Sequence, residues 1–250
     1  MTTLENKVAV ITGAAGSIGR EAVRIFQREG ATVVGVDVQG ESDADLFIKA
    51  DLTNEDDVRS LYQSVVEAYG KIDILFNNAG IAVADDASVL DTDVATFNRL
   101  FEVNTLSVFL CCKHGLPHLI KNGGGSVINT ASLVASMGSA VSQIAYTGSK
   151  GAVLAMTREM AVEFAKTNVR INSISPGPVE TPLLATLFSP DEKERRLVHV
   201  PYGRFARPQE IAEAAAFLAS DNASYINGHD LRVDGGITSA YVTAEGEPAR

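Results

Sequence analysis

Short apolar segments alternate with longer amphipathic segments along most of the chain. The short segments predict β-strands near residues 7–12, 32–37, 46–50, 73–77, 126–130, 169–174 and 229–233. The periodicity of the longer segments predicts helices near 17–29, 54–69, 95–121, 145–166 and 207–219. Because the predicted strands are apolar on both faces, the alternation predicts an α/β fold with a doubly wound parallel sheet and helices on both faces.

Two stretches, 81–95 and 176–206, interrupt this alternation. The second contains five prolines, and a long insertion in a compact domain is more often functional than idle. We therefore expect residues near 181–206 to form a lid over a substrate site. Since no linker or internal repeat divides the chain, we expect a single domain over residues 1–250.

Composition and charge narrow the class of protein. The chain contains two cysteines, Cys111 and Cys112, which are adjacent and cannot easily bridge each other. No basic leader and no run of roughly 18 apolar residues is present, so we expect a reduced, cytoplasmic protein. The net charge of -10 argues against nucleic acid and anionic membranes as partners, and more weakly against a polyanionic substrate.

A glycine-rich segment, TGAAGSIG at residues 12–19, joins the first predicted strand to the first predicted helix. Glycines allow the backbone to approach a pyrophosphate, and free N–H groups at the start of a helix favour its negative charge. Asp37 ends the next strand, where a carboxylate can accept hydrogen bonds from both ribose hydroxyls of a dinucleotide. Asp37 would repel a 2′-phosphate, and no Lys or Arg follows in 38–40, so the sequence favours NAD over NADP. An ordinary tight turn and a solvated carboxylate remain the alternatives.

Candidate catalytic side chains occur in the second half of the chain. Tyr146 and Lys150 are four residues apart in a predicted helix, so they share one face, and the ammonium is expected to lower the pKa of the phenol. Such a phenol can exchange a proton with an alcohol oxygen, and the hydroxyl of Ser132, at the end of a strand, would contact the same oxygen. Taken alone, a Tyr-x-x-x-Lys pair is more often a surface feature.

The order of the motifs adds a family resemblance. NNAG at 77–80, Asn104, Ser132, YTGSK at 146–150 and PGPVETP at 176–182 resemble the compact, approximately 250-residue branch of the short-chain dehydrogenase/reductase family. The resemblance implies a Rossmann-type fold, a homotetramer with one interface from helices 95–121 and 145–166, and the tetrad Asn104, Ser132, Tyr146 and Lys150. In that tetrad Asn104 would hold a water that connects the lysine to solvent.

The resemblance also implies a set of cofactor contacts. Asp51, with Leu52 behind it, resembles the carboxylate that binds the adenine amino group, and Ser17 stands where the compact branch has its middle glycine. We interpret this departure as a local variation in which Ser17 gives its N–H and hydroxyl to the pyrophosphate. The full cofactor set is Gly13, Gly16, Ser17, Ile18, Gly19, Asp37, Asp51, Leu52, Asn78, Ala79, Gly80, Tyr146, Lys150, Pro176, Gly177, Val179 and Thr181.

Two further clusters have structural interpretations. Four candidate metal ligands, Cys111, Cys112, His114 and His118, lie on one predicted helix, which cannot wrap around a tetrahedral ion, and Pro117 suggests that this helix bends or ends there. We therefore expect no metal and assign the cluster to packing. The charged run at 191–196 is predicted to be a solvated helix in the lid.

The sequence therefore predicts an NAD-dependent oxidoreductase that interconverts a secondary alcohol and its ketone by hydride transfer. The expected substrate pocket is mainly apolar, with Gln143 as a polar group, and comprises Ile81, Val83, Leu133, Val134, Met137, Gln143, Val179, Leu183 and Leu187. A 3-oxoacyl (carrier protein or CoA) reductase is the alternative enzyme, although it would need basic residues to receive an acidic carrier. A non-catalytic NAD-binding sensor is the remote alternative.

Overall fold

A computed structural model describes residues 3–139, 141–182 and 189–240. Its strands form one parallel sheet of seven strands in the order β3-β2-β1-β4-β5-β6-β7. They span β1 Val8–Thr12, β2 Thr32–Asp37, β3 Leu46–Lys49, β4 Ile74–Asn77, β5 Gly125–Thr130, β6 Val169–Pro176 and β7 Asp230–Val233. The strand order reverses between β1 and β4, which is where a doubly wound sheet opens a crevice for ligands.

Helices cover both faces of the sheet, as the sequence predicted. Within the described residues the α-helices are α1 Ser17–Arg28, α2 Glu55–Tyr69, α3 Val94–Phe101, α4 Ser107–Lys121, α5 Ile144–Glu163, α6 Pro190–Leu197 and α7 Pro208–Ala219. Short 3-10 segments follow β5 at Leu133–Ala135 and α5 at Ala165–Thr167.

Successive side chains of the buried strands enter two separate cores. Val8 and Val10 of β1 pack with residues of α2, α4 and α5, whereas Ala9 and Ile11 pack with residues of α1 and α7. Side chains alternate between the two faces of a strand, so a strand that is apolar throughout requires cover on both faces. The uninterrupted apolar strands of this sequence therefore specify the three-layer arrangement.

The segment predicted as one helix over 95–121 is continuous but not uniform. It consists of α3, a π-helical segment at Glu102–Leu106, and α4. Pro117 lies inside α4, which continues to Lys121, so of the two alternatives for this proline, a bend or an end, the helix does not end there. The π-helical turn adds one residue to the local repeat and thereby changes the direction of the side chains within it.

Candidate active site

The glycine-rich loop after β1 closes against the start of α1. Gly13 has a φ of +66°, a conformation that favours glycine, and a Cβ on Gly19 would overlap the carbonyl of Gly13. Gly16 has a φ of -77°, and its Cβ would be 3.3 Å from the same carbonyl. The loop therefore depends most strictly on Gly13 and Gly19. Ser17 is the first residue of α1, so its N–H is one of the unpaired donors at the helix start.

Asp37 lies at the end of β2, directly beside this loop. Its Oδ2 accepts a hydrogen bond from the Ala15 N–H at 3.0 Å, and its Oδ1 accepts one from the Val38 N–H at 2.8 Å. Within the described part of the chain no basic side chain forms an ion pair with Asp37. The carboxylate is thus placed at the dinucleotide crevice, and its negative charge is not neutralised there.

Asp51 follows β3 and is exposed, whereas Leu52 is buried beneath it. Asp51 Oδ1 accepts hydrogen bonds from the N–H of Thr53 at 2.9 Å and from its hydroxyl at 2.8 Å. These contacts organise the turn into α2, and the second carboxylate oxygen makes no hydrogen bond among the described residues. A structural role for Asp51 therefore accompanies the expected role in adenine binding.

The NNAG segment after β4 is bound tightly to β1. Thr12 Oγ1 accepts hydrogen bonds from the N–H of Asn78 at 2.9 Å and of Ala79 at 3.0 Å. Asn78 Nδ2 donates in turn to the Thr12 carbonyl at 3.1 Å. Gly80 follows, and a Cβ at this position would lie 3.1 Å from Asn104 Oδ1 and 3.2 Å from Lys150 Nζ. A glycine is therefore favoured where these two polar side chains converge, since a Cβ would press on both.

Asn104 lies in the π-helical segment and is fully buried. Its Oδ1 accepts from the Ile81 N–H at 2.7 Å, while Nδ2 donates to the Ile81 carbonyl at 2.9 Å and to Ser149 Oγ at 3.1 Å. Both amide donors are therefore occupied, and Oδ1 retains one acceptor position. Asn104 therefore connects the loop after β4 to helix α5 through these hydrogen bonds.

Ser132, Tyr146 and Lys150 meet at the carboxyl edge of the sheet. The Lys150 Nζ is buried, donates to the Thr130 carbonyl at 2.8 Å, and lies 5.9 Å from the centre of the Tyr146 ring. Ser132 lies close enough to the Tyr146 hydroxyl to lower the pKa of the phenol. Three of the four expected catalytic side chains thus meet at one point, with Ser132 and Lys150 beside the Tyr146 phenol. Asn104 supports the adjacent loop.

Burial dominates the electrostatics of this group. It lowers the pKa of Lys150 to about 8, because the charged ammonium loses its hydration. Desolvation also raises the pKa of the Tyr146 phenol, and the hydrogen bond from Ser132 opposes that shift. In the protein alone the pKa of this phenol is therefore raised rather than lowered, because desolvation is the largest contribution.

Asp86 was not singled out by the sequence, yet it fixes the start of α5. This buried carboxylate lies in the loop after β4 and accepts hydrogen bonds from the N–H of Ala145 at 3.0 Å and of Tyr146 at 2.8 Å. The N-cap residue Gln143 provides no side-chain cap. Asp86 therefore replaces a local cap with one from a distant segment, and spacing along the chain gives no signal for such a contact.

A cavity of about 550 Å³ opens above Tyr146 and Lys150. Of the expected substrate residues, Ile81, Leu133, Val134, Met137, Gln143 and Val179 line it. Val83 does not line it, and Leu183 and Leu187 lie outside the described residues. The expected cofactor residues that line it are Ile18, Asn78, Gly80, Tyr146, Lys150, Pro176, Gly177, Val179 and Thr181. The cavity therefore joins the expected nicotinamide end of the crevice to the expected substrate pocket.

Helix α6 and the turn after it contribute residues to this cavity, although the charged run at 191–196 was expected to be solvated. The charged run is helical, as predicted, and Ser189 caps its start by accepting from the Glu192 N–H at 3.3 Å. However, Arg195, Arg196 and His199 line the cavity. The sequence shows that these residues lie within about one helical turn of each other. It does not show which surface that side of the helix faces.

The two cysteines of the cluster on α4 pack in the core, and its two histidines contact neighbouring side chains. Cys111 and Cys112 are buried, and burial raises the pKa of Cys111 to about 12. His114 contacts Glu55 at 2.9 Å, and the His118 ring lies 6.3 Å from that of Tyr62. Across the described ranges no group of three or more His, Cys, Asp or Glu side chains is placed to hold a metal ion.

The family model described as enoyl-(acyl carrier protein) reductase matches residues 13–238, which is most of the chain. The chain belongs to the short-chain dehydrogenase/reductase family. It is 40% identical to secoisolariciresinol dehydrogenase of Forsythia intermedia, covering 94% of this chain and 90% of that protein. It is 39% identical to cis-4-hydroxycyclohexanecarboxylate dehydrogenase of Sinomonas cyclohexanicum, covering 93% and 97%.

A solved member of the short-chain dehydrogenase/reductase family has the same architecture. The ligand-free aldohexose dehydrogenase of Thermoplasma acidophilum superposes with a TM-score of 0.88 at 31% identity, covering 98% of this chain and 99% of that one. The Rossmann-type fold is thereby confirmed. As a member of this family, the protein is an oxidoreductase that acts on alcohols or ketones with a nicotinamide cofactor.

The contacts of Asp86 predict that it positions Tyr146 for catalysis. We expect Asp86→Ala to lower kcat about tenfold and the free energy of unfolding by about 1–2 kcal/mol, because the start of α5 loses its cap. Steady-state kinetics well below the unfolding temperature, together with denaturant unfolding, measure the two effects.

Asp85→Ala is the matched control, since Asp85 is exposed and, among the described residues, the hydrogen bonds to the start of α5 come from Asp86. Asp86→Asn keeps one acceptor and should restore part of kcat. A fully folded Asp86→Ala variant with unchanged kcat would show that this cap has no role in positioning the phenol.

Proposed function

We propose that the protein is an NAD-dependent dehydrogenase that interconverts a secondary alcohol and its ketone. The observation that carries the proposal is the convergence of Ser132, Tyr146 and Lys150 on one cavity, next to a crevice that begins at the glycine-rich loop. NAD, when bound, would accept the hydride that leaves the carbinol carbon. The cradle fits a dinucleotide, because Gly13 and Gly19 bring the backbone close and α1 begins beside them.

The side chains supply the proton chemistry. During oxidation the ionised Tyr146 oxygen takes the proton of the alcohol hydroxyl, and the Ser132 hydroxyl donates a hydrogen bond that positions the same oxygen. The buried Lys150 ammonium is close to the phenol, and its positive charge favours the ionised form when the phenol loses its proton. During ketone reduction the protonated Tyr146 donates its proton to the oxygen. Asn104 holds the loop at Ile81 in place.

A secondary alcohol is supported by the cavity and by the relatives. Its wall is largely apolar, with Leu133, Val134 and Met137 on one side. The name of the Sinomonas relative specifies a ring that carries a hydroxyl group. We therefore infer a moderately hydrophobic substrate, cyclic or acyclic, rather than a sugar.

A 3-oxoacyl thioester reductase is the second candidate. This activity needs basic residues near the substrate, and none was expected in the pocket. Three basic residues line the cavity, Arg195, Arg196 and His199. The description of the matching family model also refers to an acyl carrier protein. Reduction of 3-oxobutyryl-CoA, measured in the same assay as alcohol oxidation, distinguishes the two activities.

We also infer a homotetramer and a cytoplasmic location. Phe97, Phe109 and Val162 are exposed on helices α3, α4 and α5, the helices expected at one subunit interface. Such exposed apolar side chains favour association. No helix within the described part of the chain has the length and apolarity needed to cross a membrane.

The role of Tyr146 predicts the effect of removing its hydroxyl. Tyr146→Phe should lower kcat by about 10²- to 10⁴-fold, because no other group at this position can exchange the proton. The Kd for NAD, measured by calorimetry, should change less than about threefold. Unchanged turnover would refute the mechanism, and a wild-type protein that binds NAD but turns over no alcohol would support a sensor instead.

The position of Asp37 predicts cofactor choice. Asp37→Ala should weaken NAD use and improve NADP use in relative terms, shifting the ratio of their kcat/KM values at least about tenfold, because repulsion of the 2′-phosphate is removed. Asp37→Asn is the matched variant, since it removes the charge and keeps an acceptor for Ala15 or Val38. A ratio unchanged in both variants would contradict this assignment.

A further inference from the structure

The cavity has an unusual balance of charge for this chain. The protein carries 31 acidic and 21 basic residues, yet no Asp or Glu is among the described residues that line the cavity. Besides Lys150, its basic lining residues are Arg195 and Arg196 from the last turn of α6 and His199 from the turn that follows it. The cavity is therefore locally cationic in an acidic protein.

Neighbouring acidic residues already neutralise part of the charge on this helix. Arg196 pairs with Glu192 at 3.1 Å, and Lys193 pairs with Glu180 at 3.4 Å. Arg195 forms no ion pair within the residues that the structure describes, and its side chain is exposed at the cavity. Arg195 is thus the cation best placed to meet an anion from solution.

Arg195 and His199 stand one turn apart. The chain keeps a helical turn beyond the end of α6, since Val198 has φ -55° and ψ -30° and the His199 N–H donates to the Arg196 carbonyl at 3.0 Å. Residues four apart in such a turn lie on the same face. A favourable helix dipole explains why cations lie at the end of α6, but it does not explain why these two face the cavity.

We propose that Arg195 and His199 bind a carboxylate on the substrate, away from its reacting carbon. The inference rests on the proposed function and narrows its substrate to a secondary alcohol with one negative charge. The planar guanidinium can donate two parallel hydrogen bonds to a carboxylate, and the imidazole can add a third. Leu133, Val134 and Met137 would contact the apolar spacer between the carboxylate and the hydroxyl.

The size of the cavity favours a small acid. Its volume of about 550 Å³ must hold the nicotinamide end of the cofactor as well as the substrate. A ring or a short chain with a terminal carboxylate fits this space. The phosphates of a CoA thioester are a second source of negative charge, and the experiment separates the two sources.

The test compares 4-hydroxycyclohexanecarboxylate with its neutral carboxamide and with cyclohexanol, using NAD. We expect the wild-type protein to prefer the carboxylate at least about tenfold in kcat/KM, mainly through KM. Arg195→Ala should remove most of this preference by raising KM for the carboxylate, and it should lower kcat/KM for cyclohexanol far less than kcat/KM for the carboxylate. Arg195→Glu should favour the carboxamide.

Lys193→Ala is the matched control, since it removes the same charge from the same helix outside the cavity wall. Its preference for the carboxylate should equal that of the wild-type protein. An equal loss in Lys193→Ala and Arg195→Ala would show a general effect of charge and would overturn the inference.

A binding measurement keeps the inference independent of turnover. Cyclohexanecarboxylate, which lacks the reacting hydroxyl, should bind to the wild-type protein in calorimetry and bind at least about tenfold more weakly to Arg195→Ala and His199→Ala. Binding with no alcohol turnover would refute the proposed function and retain the site. Cyclohexanol turnover without a carboxylate preference would refute the site and retain the function.

The last comparison concerns the source of the negative charge. If Arg195→Ala impairs reduction of 3-oxobutyryl-CoA but not of the neutral N-acetylcysteamine thioester, and carboxylate binding is unchanged, the site recognises phosphate. That result would overturn the assignment to a carboxylate.

Discussion

The active site depends on the space that Gly80 leaves. Asn104 Oδ1 and Lys150 Nζ converge on this residue, and a side chain there would meet both at close to 3 Å. A Cβ at this point would press on both polar groups, so the lack of a side chain leaves room for the ammonium beneath the loop. Asn104 then binds both backbone groups of Ile81, the next residue, so the same contact region fixes the wall of the cavity. Three elements from distant parts of the sequence are joined here.

Burial gives these polar groups their chemical properties. Lys150 loses hydration, and its pKa falls to about 8, so its charge is sensitive to pH slightly above neutrality. The phenol of Tyr146 holds its proton more strongly than a free tyrosine does. The protein alone therefore presents the protonated phenol that ketone reduction needs, and alcohol oxidation first requires removal of that proton. Ser132 is the contact that opposes the shift.

The sequence predicted the features that depend on local pattern. The apolar segments predicted the strands of the described sheet, most clearly the five inner ones, because a strand buried on both faces shows its pattern within a few residues. The edge strands β3 and β7 are only partly buried. The tetrad residues were predicted from the family motifs in the sequence. Asp86 was missed, because its partners are about 60 residues away in sequence, at Ala145 and Tyr146. The cationic face of α6 was missed because the net charge of the chain says nothing about the charge of one cavity.

The glycine-rich loop departs from the family pattern at Gly16 and Ser17, and its geometry explains why this departure is tolerated. Gly13 and Gly19 carry the strict steric requirement, whereas Gly16 has an ordinary backbone conformation. Moving the middle glycine by one position therefore leaves the close approach of strand and helix intact.

The most direct test of the central claim is to follow the hydrogen that leaves the substrate. Secondary alcohols deuterated at the carbinol carbon are incubated with the protein and NAD, and the reduced cofactor is analysed by mass spectrometry. Direct hydride transfer predicts one deuterium in each reduced cofactor and no release of deuterium into the water. Reduced cofactor without deuterium, or no reduction across acyclic, cyclic and 3-hydroxyacyl alcohols although NAD binds, would contradict it.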